Sequence, residues 1–169
     1  MMLAFKMLEK VMEREDRVSR MAVENILKLA IPFNAPHRFH IVKLEKTEVQ
    51  IELPNFKLNH NHVKGIHACA IATLGEFCAG LTLARNLGLS RYRLILAELE
   101  VKYHLQGRTT LTGKAKLSPE KLDALKTQLG STEKVLFEHH TAVENAHGER
   151  VADVRTVWQL KDWNKVQLK

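Results

Sequence analysis

The sequence predicts an α+β fold in which a curved antiparallel sheet wraps around one long central helix. Residues 65–86 indicate the helix, because they follow a helical pattern yet are too rich in Ala and Gly, and too poor in charge, for a surface helix. Six segments that alternate apolar and polar residues indicate a sheet with one covered face. No linker, internal repeat or low-complexity tract divides the 169 residues. We therefore expect one domain over residues 1–169, with an N-terminal helical extension at 1–31 and the core at 36–169.

Composition and charge narrow the classes of partner. Hydrophobic residues make up 45% of the chain and charged residues 27%, as in a globular protein with a substantial core. The net charge of +7 favours an anionic partner, either a nucleic acid or a phosphate-bearing small molecule. The basic residues are scattered, and two Trp and two Tyr make no evident stacking platform, so nucleic acid is not the expected partner.

The amino-acid composition predicts neither a membrane span nor export. No segment is expected to supply the ~20 apolar residues that cross a bilayer, and charges near the N-terminus come too early for a secretory signal. The two cysteines, Cys69 and Cys78, lie nine residues apart on opposite faces of the predicted central helix, so they cannot pair within it. We expect a reducing, cytoplasmic environment.

The N-terminal extension is predicted to be one helix over residues 2–29. Apolar residues recur at roughly helical spacing, although the charged stretch 13–17 interrupts them, and Pro32 and Pro36 end the pattern. The recurring residues are Leu3, Met7, Val11, Val18, Met21 and Leu29. Such a helix would pack on the outside of the domain or lie in a membrane interface. The mixed charges of the interruption argue against the membrane interface.

The strands are predicted to form two groups, one on each side of the central helix in sequence. Residues 39–45 and 48–53 are expected to form a hairpin, followed by a polar loop at 55–64. The inward residues of this hairpin are Ile41, Val49, Ile51 and Leu53. After the central helix come strands at 94–105 and 109–117, a short helix that begins at Ser118-Pro119 and ends near Leu129, and a hairpin of strands 135–144 and 151–161. In the first of these strands Ile95, Ala97, Leu99, Val101 and Tyr103 are predicted to share one face.

Glu76 is the first candidate for chemistry, because it is a lone acid within the apolar central helix. An ionised carboxylate in such a setting is costly unless it is paired or used. A structural interpretation pairs it with a hydroxyl or base, such as Thr73 or a histidine. A functional one makes it a general base that activates water, or a nucleophile that attacks a carbonyl carbon.

The start of the central helix supplies the other candidate site residues. Asn61 is either a loop or helix-cap residue, or it orients the attacking water or the carbonyl. His67 either hydrogen-bonds the loop or, with Ala68, presents backbone amides to a developing negative charge. His67 and Glu76 are nine residues apart, which is about half a turn out of phase and about 13 Å along the helix. One helix cannot bring them together, so a shared site needs the start of one helix and the middle of another, as in a two-fold dimer.

No metal site is expected in the histidine-rich loop. His60, His62 and His67 could provide imidazole ligands, but their spacing matches no firm zinc pattern and no cysteine lies in the loop. His139 and His140 are successive strand residues, so they should point to opposite faces of the sheet rather than form one site.

These residues and the order of elements resemble the hotdog fold, in which a curved sheet wraps a central helix. The segment 61–80 resembles the active-site segment of acyl-CoA thioesterases of the phenylacetate-pathway type. That pattern has an Asn, a His six residues later, small residues, and an acid nine residues beyond the His; here these are Asn61, His67, Ala68 and Glu76. The chain is also similar to a poorly characterised thioesterase-like branch of hotdog proteins.

The resemblance implies a thioesterase that hydrolyses acyl-CoA with Glu76 as general base or nucleophile, as a homodimer or homotetramer with each site built across two chains. Coenzyme A would be part of the substrate, with no separate cofactor. Three departures stand out: Lys64 replaces the usual Gly, Ala68-Cys69 replaces Gly-Gly, and Glu76 replaces the more usual Asp. The departures at Lys64 and Ala68 motivate an alternative, a hotdog protein that binds acyl-CoA or a fatty acyl group without cleaving it. A dehydratase is less favoured because the Asn61 segment follows the thioesterase pattern.

Overall fold

The structure, a computed structural model, describes residues 2–166. The helices and strands are α1 (Met2–Met12), α2 (Arg17–Ala30), β1 (His40–Leu44), β2 (Glu48–Leu53), α3 (Ala68–Leu87), β3 (Tyr92–Tyr103), β4 (Leu111–Lys116), α4 (Pro119–Ser131), β5 (Val135–Glu144) and β6 (Arg150–Asp162). This order matches the predicted one. Short 3₁₀ turns lie at Pro32–His37, Lys57–Asn59 and Trp163–Lys165.

The strands form one antiparallel sheet in the order β1-β2-β4-β5-β6-β3, and α3 packs against one face of it. The predicted inward residues of the first hairpin, Ile41, Val49, Ile51 and Leu53, are all buried there. Apolar side chains of β2, β4, β5 and β6 meet those of α3 in the main core. The helix α4 covers a second part of the same face, where Leu125 and Leu129 pack near Leu83 and Leu87. The predicted arrangement of a sheet around a central helix is therefore confirmed.

The prediction of one continuous N-terminal helix is wrong, because the extension forms two helices. The chain leaves α1 after Met12, and α2 begins at Arg17 with Asp16 as its N-cap. The Asp16 carboxylate accepts hydrogen bonds from the Ser19 amide at 2.9 Å and from the Ser19 hydroxyl at 2.8 Å. A side chain that satisfies the first free amides of a helix favours a new start. The charged interruption in the apolar pattern is therefore the connection between two helices.

The predicted alternation along β3 is wrong in its first half, because the strand contains a bulge. Its register with β6 shifts between Leu96 and Glu98, which leaves Ala97 as an extra residue. An extra residue reverses which side chains face the core on either side of it. Leu94 and Leu96 therefore pack against the core, as Val101 does, whereas Ile95 is exposed.

The central helix spans Ala68–Leu87, slightly shorter at its start than predicted, and it ends at Gly88, whose φ of 80° suits glycine. By length and composition alone α3 could cross a membrane, so the expectation that no segment is apolar enough is wrong. Most of this helix is buried within the protein, and core helices pass the same test. Of the two cysteines, Cys78 is buried, Cys69 is exposed, and both are free.

Candidate functional site

An apolar cavity of about 370 Å³ lies between the N-terminal helices, α3 and the sheet, and Glu76 is in its wall. The residues around it come from α1, α2, the turn after α2, α3, the loop after α3, β3 and β6. They are Leu8, Met12, Leu27, Ile31, Phe33, Asn34, Glu76, Phe77, Gly80, Leu81, Ala84, Leu89, Leu94 and Trp158. The extension at the N-terminus thus forms one wall of the cavity that contains the lone acid.

Burial raises the pKa of the Glu76 carboxyl from its ordinary value of 4.5 to about 7. Desolvation is the cause, since removing a carboxylate from water disfavours its charged form. Among residues 2–166 no side chain pairs with Glu76, and the Thr73 hydroxyl instead donates to the Cys69 carbonyl at 2.8 Å. The interpretation that Thr73 or a histidine pairs with the acid is therefore not supported. A carboxyl with a pKa near neutrality can accept and return a proton at neutral pH.

Gly80 and Trp158 define the space beside the carboxylate. A Cβ built on Gly80 would lie 2.9 Å from Cη2 of Trp158 and 3.8 Å from Oε1 of Glu76. The indole therefore packs against the helix where the glycine leaves room, next to the acid. Its N–H donates to the Thr156 hydroxyl at 3.0 Å, so the polar end of Trp158 is already satisfied. Trp158 contributes an apolar surface to the cavity.

The backbone amides at the start of α3 differ in whether they already donate a hydrogen bond. The His67 amide donates to the Asn59 carbonyl at 2.7 Å, and the Cys69 amide donates to Nδ1 of His67 at 3.1 Å. Within the described part of the chain, the Ala68 amide has no acceptor. Ala68 is exposed, and its carbonyl accepts a 2.9 Å hydrogen bond from the Tyr103 hydroxyl at the end of β3. Of the two amides predicted to receive negative charge, the Ala68 amide is the available one.

Asn61 organises the loop that leads into α3. Its side-chain oxygen accepts hydrogen bonds from the amides of Val63 at 3.0 Å and Gly65 at 3.1 Å. Lys64, the residue that departs from the family pattern, has a φ of 61°, in the left-handed region that glycine adopts most readily. The loop interpretation of Asn61 is the one that these hydrogen bonds support.

Within one chain the candidate residues fall into two groups. Glu76 lies in the cavity under the N-terminal helices, whereas His67 and Ala68 lie at the exposed start of α3, about 13 Å along the helix and half a turn away. The sequence pattern did not single out Trp158 or Asn34, which also border the cavity. Trp158 occupies an inward position of a predicted strand, but Asn34 lies in a turn where no periodicity applies. Contact with the cavity depends on the tertiary packing.

The histidine-rich loop holds no metal-type cluster among residues 2–166. Nε2 of His60 is 2.5 Å from the side-chain oxygen of Asn55, and Nδ1 of His67 caps α3. His139 is buried on the inner face of β5, while His140 is exposed beside Glu138. The prediction that these two neighbours face opposite ways is confirmed.

Solved structures with a similar fold include thioesterases. A "Protein of Unknown Function PA5026 from Pseudomonas aeruginosa, Probable Thioesterase" has a TM-score of 0.76 at 22% identity, covering 82% of this chain and 92% of that chain. A mutant of the thioesterase enzyme SAV0944 from Staphylococcus aureus has a TM-score of 0.64 at 14% identity, covering 77% and 98%. Thioesterase HI1161 from Haemophilus influenzae has a TM-score of 0.65 at 10% identity, covering 82% and 90%. These likenesses confirm the predicted hotdog fold.

Among curated proteins, none matches this chain. A family model described as "Domain of unknown function (DUF4442)" matches residues 19–160, which include most of α2, the strands β1 to β5, α3, α4 and all but the last two residues of β6. The chain therefore belongs to the DUF4442 family and has the hotdog fold shared by the thioesterases that it resembles.

Proposed function

We propose that the protein is a thioesterase-like hydrolase that cleaves an acyl-CoA thioester, with Glu76 as general base. The observation that carries the proposal is an unpaired carboxyl with a pKa of about 7 in the wall of an apolar cavity. The cavity suits an acyl chain, and the carboxyl suits the activation of water at the carbonyl carbon next to that chain.

In this mechanism Glu76 accepts a proton from a water molecule as the water oxygen bonds to the thioester carbonyl carbon. The carbonyl oxygen becomes negatively charged, and the free amide of Ala68 at the positive end of a 20-residue helix is suited to stabilise it. The carbon–sulfur bond then breaks, and the Glu76 carboxylic acid returns the proton to the leaving thiolate. The products are a carboxylic acid and coenzyme A. Attack by Glu76 itself would instead form an anhydride. In a single turnover in heavy-oxygen water, attack of water on the Glu76 carbon of that anhydride would label the Glu76 carboxyl, whereas the general-base mechanism leaves it unlabelled.

We propose that the Ala68 amide is supplied by a second copy of the chain. The edge strand β1 is short, and the Glu24 carboxylate accepts a 2.6 Å hydrogen bond from its Ile41 amide. The other edge, β3, has 12 residues and leaves one side unpaired among the described residues. A long free edge favours pairing with another strand.

Antiparallel pairing of two β3 strands would assemble the two halves of the site. Leu94, near one end of β3, lies in the wall of the Glu76 cavity, whereas Tyr103, at the other end, hydrogen-bonds Ala68. A two-fold axis near the middle of the strand places the Tyr103 end of one chain beside the Leu94 end of the other. The start of the second chain's α3 then approaches the first chain's Glu76.

The test is to measure hydrolysis of a panel of acyl-CoA thioesters by the wild type and by the variants Glu76→Ala and Glu76→Gln. The rate is measured as the release of the free thiol of coenzyme A. Loss of a general base is expected to lower kcat by about 10²–10⁴-fold. Glu120→Gln is the matched control, because Glu120 is an exposed carboxylate on α4 and its removal should leave the rate unchanged. Unchanged hydrolysis by both Glu76 variants would remove this residue from the mechanism.

A second candidate function is binding of an acyl thioester without cleavage. It is favoured by the small number of free backbone amides at the start of α3. The amides of His67 and Cys69 already donate to acceptors in the same chain, so among residues 2–166 the Ala68 amide is the one free donor at the start of α3. Calorimetric binding of an acyl-CoA combined with no release of thiol across the panel would support this function. Turnover that depends on Glu76 would exclude it.

A further inference from the structure

We propose that α1 and α2, together called the N-terminal helix pair, form the distal wall of a pocket for an unbranched fatty acyl chain, and that Met12 limits the length of that chain. This inference rests on the proposed function, because it assigns the acyl group of the same site. It assigns a specificity role to the extension outside the sheet-and-helix core.

The lining of the cavity selects an apolar ligand. Glu76 and Asn34 are the polar side chains among the 14 residues that line it, and Trp158 turns its N–H toward Thr156. The phosphate and ribose groups of coenzyme A would lose hydration there without gaining partners. The part of a thioester that fits is therefore the hydrocarbon chain.

The cavity extends along α3 away from Glu76. Gly80, Leu81 and Ala84 follow at the spacings that place residues on one side of a helix, and all border the cavity. Eight residues separate Glu76 from Ala84, which is about 12 Å of rise. An extended chain with carbon–carbon bonds of about 1.5 Å advances about 1.25 Å per carbon, so on the order of ten carbons span this distance. Lining residues that follow one another along one side of the helix over this distance favour a straight chain.

Met12 lies toward the far end of this path. The neighbouring Glu13 carbonyl accepts a 3.3 Å hydrogen bond from Arg85, the residue next to Ala84 on α3. The side chain of Met12 is 1% exposed and borders the cavity. It is therefore placed opposite the end of α3 that is remote from the carboxylate, where the terminal carbons of a chain would stop.

The N-terminal helix pair is held in place by polar contacts, so the wall is a built part of the pocket. The Glu9 carboxylate accepts hydrogen bonds from the Ser90 amide at 2.6 Å and the Ser90 hydroxyl at 2.9 Å, just beyond the end of α3. The Glu24 carboxylate of α2 accepts the hydrogen bond from the Ile41 amide on β1. These contacts tie both helices to the core on either side of the cavity.

Asn34 adds a polar group to the cavity wall. The residue is 8% exposed, borders the cavity, and its side chain has no hydrogen-bond partner among residues 2–166. Because the amide is not fully enclosed, it can hydrogen-bond water or a polar ligand atom at this border.

The test measures chain-length dependence of binding, using non-hydrolysable thioether analogues of octanoyl-, decanoyl-, dodecanoyl-, myristoyl- and palmitoyl-CoA. Affinity of the wild type is expected to rise about fourfold per buried methylene up to a limiting length. Met12→Ala should move that limit by roughly two methylenes toward longer chains, the space left by the lost atoms. Met7→Ala is the matched control, because Met7 lies on the same helix but is 63% exposed, and its limit should equal that of the wild type.

A second variant keeps the test decisive if Met12→Ala unfolds. Ala84→Val adds two carbons to the opposite wall without opening a void, and it should move the limit toward shorter chains. The inference would be overturned if the limiting chain length were the same in the wild type and in whichever of Met12→Ala and Ala84→Val fold. A shifted limit with no hydrolysis would overturn the proposed function alone, whereas hydrolysis with an unshifted limit would overturn the pocket assignment alone.

Discussion

Gly75 of the central helix lies directly against Val154 of β6, so closely that a Cβ on the glycine would be 2.4 Å from Cγ2 of the valine. The Gly75 carbonyl also accepts a 3.1 Å hydrogen bond from the Thr141 hydroxyl on β5. These contacts set the depth of α3 in the sheet at the residue before Glu76. The position of the acid therefore depends on the absence of a side chain at its neighbour.

Gly75→Ala is expected to destabilise the fold by several kcal/mol, because the contact is far below any normal van der Waals distance and the core cannot yield freely. Chemical denaturation measures the change. Gly130→Ala is the control: nothing lies within 4 Å of a Cβ at Gly130 in α4, so the better helix former should be neutral or stabilising by up to about 1 kcal/mol. Equal effects of the two substitutions would contradict the close packing.

The activity of the proposed hydrolase should increase with pH around neutrality. A general base works in its ionised form, and the Glu76 pKa of about 7 predicts that kcat/KM rises tenfold per pH unit well below 7 and levels off above it. A pH–rate profile with a good acyl-CoA substrate measures this. A rate that is flat between pH 5 and 8 would show that a different group titrates.

Glu76→Gln should stabilise the protein at alkaline pH. The pKa of Glu76 is raised in the folded state, so folded protein holds a proton between about 4.5 and 7 that the unfolded chain releases, and stability falls as pH rises through this window. The loss is on the order of 3 kcal/mol above pH 7. Thermal unfolding of wild type and variant should therefore give similar midpoints near pH 4.5 and a higher midpoint for the variant at pH 8. A wild-type midpoint at pH 8 that equals or exceeds the midpoint of the variant at pH 8 would exclude a desolvated carboxylate.

Protonation of His139 should destabilise the folded protein at acidic pH. Its side chain is 4% exposed, both ring nitrogens lack partners among residues 2–166, and burial, assisted by His140 and Lys121, lowers its pKa from 6.5 to about 4. The unfolded chain binds a proton here at a higher pH than the folded one, so stability is complete above 6.5 and falls toward pH 4 by about 3 kcal/mol.

His139→Phe should remove part of this acid sensitivity, as measured by urea denaturation at pH 7 and pH 4.5. His147→Phe, in the exposed turn between β5 and β6, is the control and should keep the wild-type difference between the two pH values. If both variants lose the same amount of stability in acid, a different group is responsible.

The free edge of β3 should mediate a homodimer. Leu99 is 43% exposed on this strand, and Leu99→Lys is expected to weaken association, because charges on an edge strand oppose pairing. Analytical ultracentrifugation across a concentration series measures the change. Leu136→Lys on β5 is the control, since Leu136 is also exposed but lies two strands away from the β3 edge. A wild type that remains monomeric at high concentration would remove the two-chain site.

Much of the fold follows from local patterns. The alternation along β2, the capping residues Ser118 and Gly88, and the apolar composition of α3 each reflect interactions between residues near in sequence or a simple division between buried and exposed faces. A bulge breaks this relationship. At Ala97 an extra residue enters β3, so strict alternation predicts the wrong side of the sheet for the residues before it. The prediction of a single helix for the N-terminal extension was wrong, because Asp16 caps the start of a second helix.

The sequence by itself determined that Glu76 is an acid in an apolar helix and that His67 cannot reach it within that helix, since both statements need composition and helical geometry alone. The tertiary structure decided what surrounds the acid. The walls from Leu8, Met12 and Trp158 come from segments far apart in the chain, and the free state of the Ala68 amide depends on which neighbours take the other amides. Such contacts arise from packing between distant elements, which no local pattern encodes.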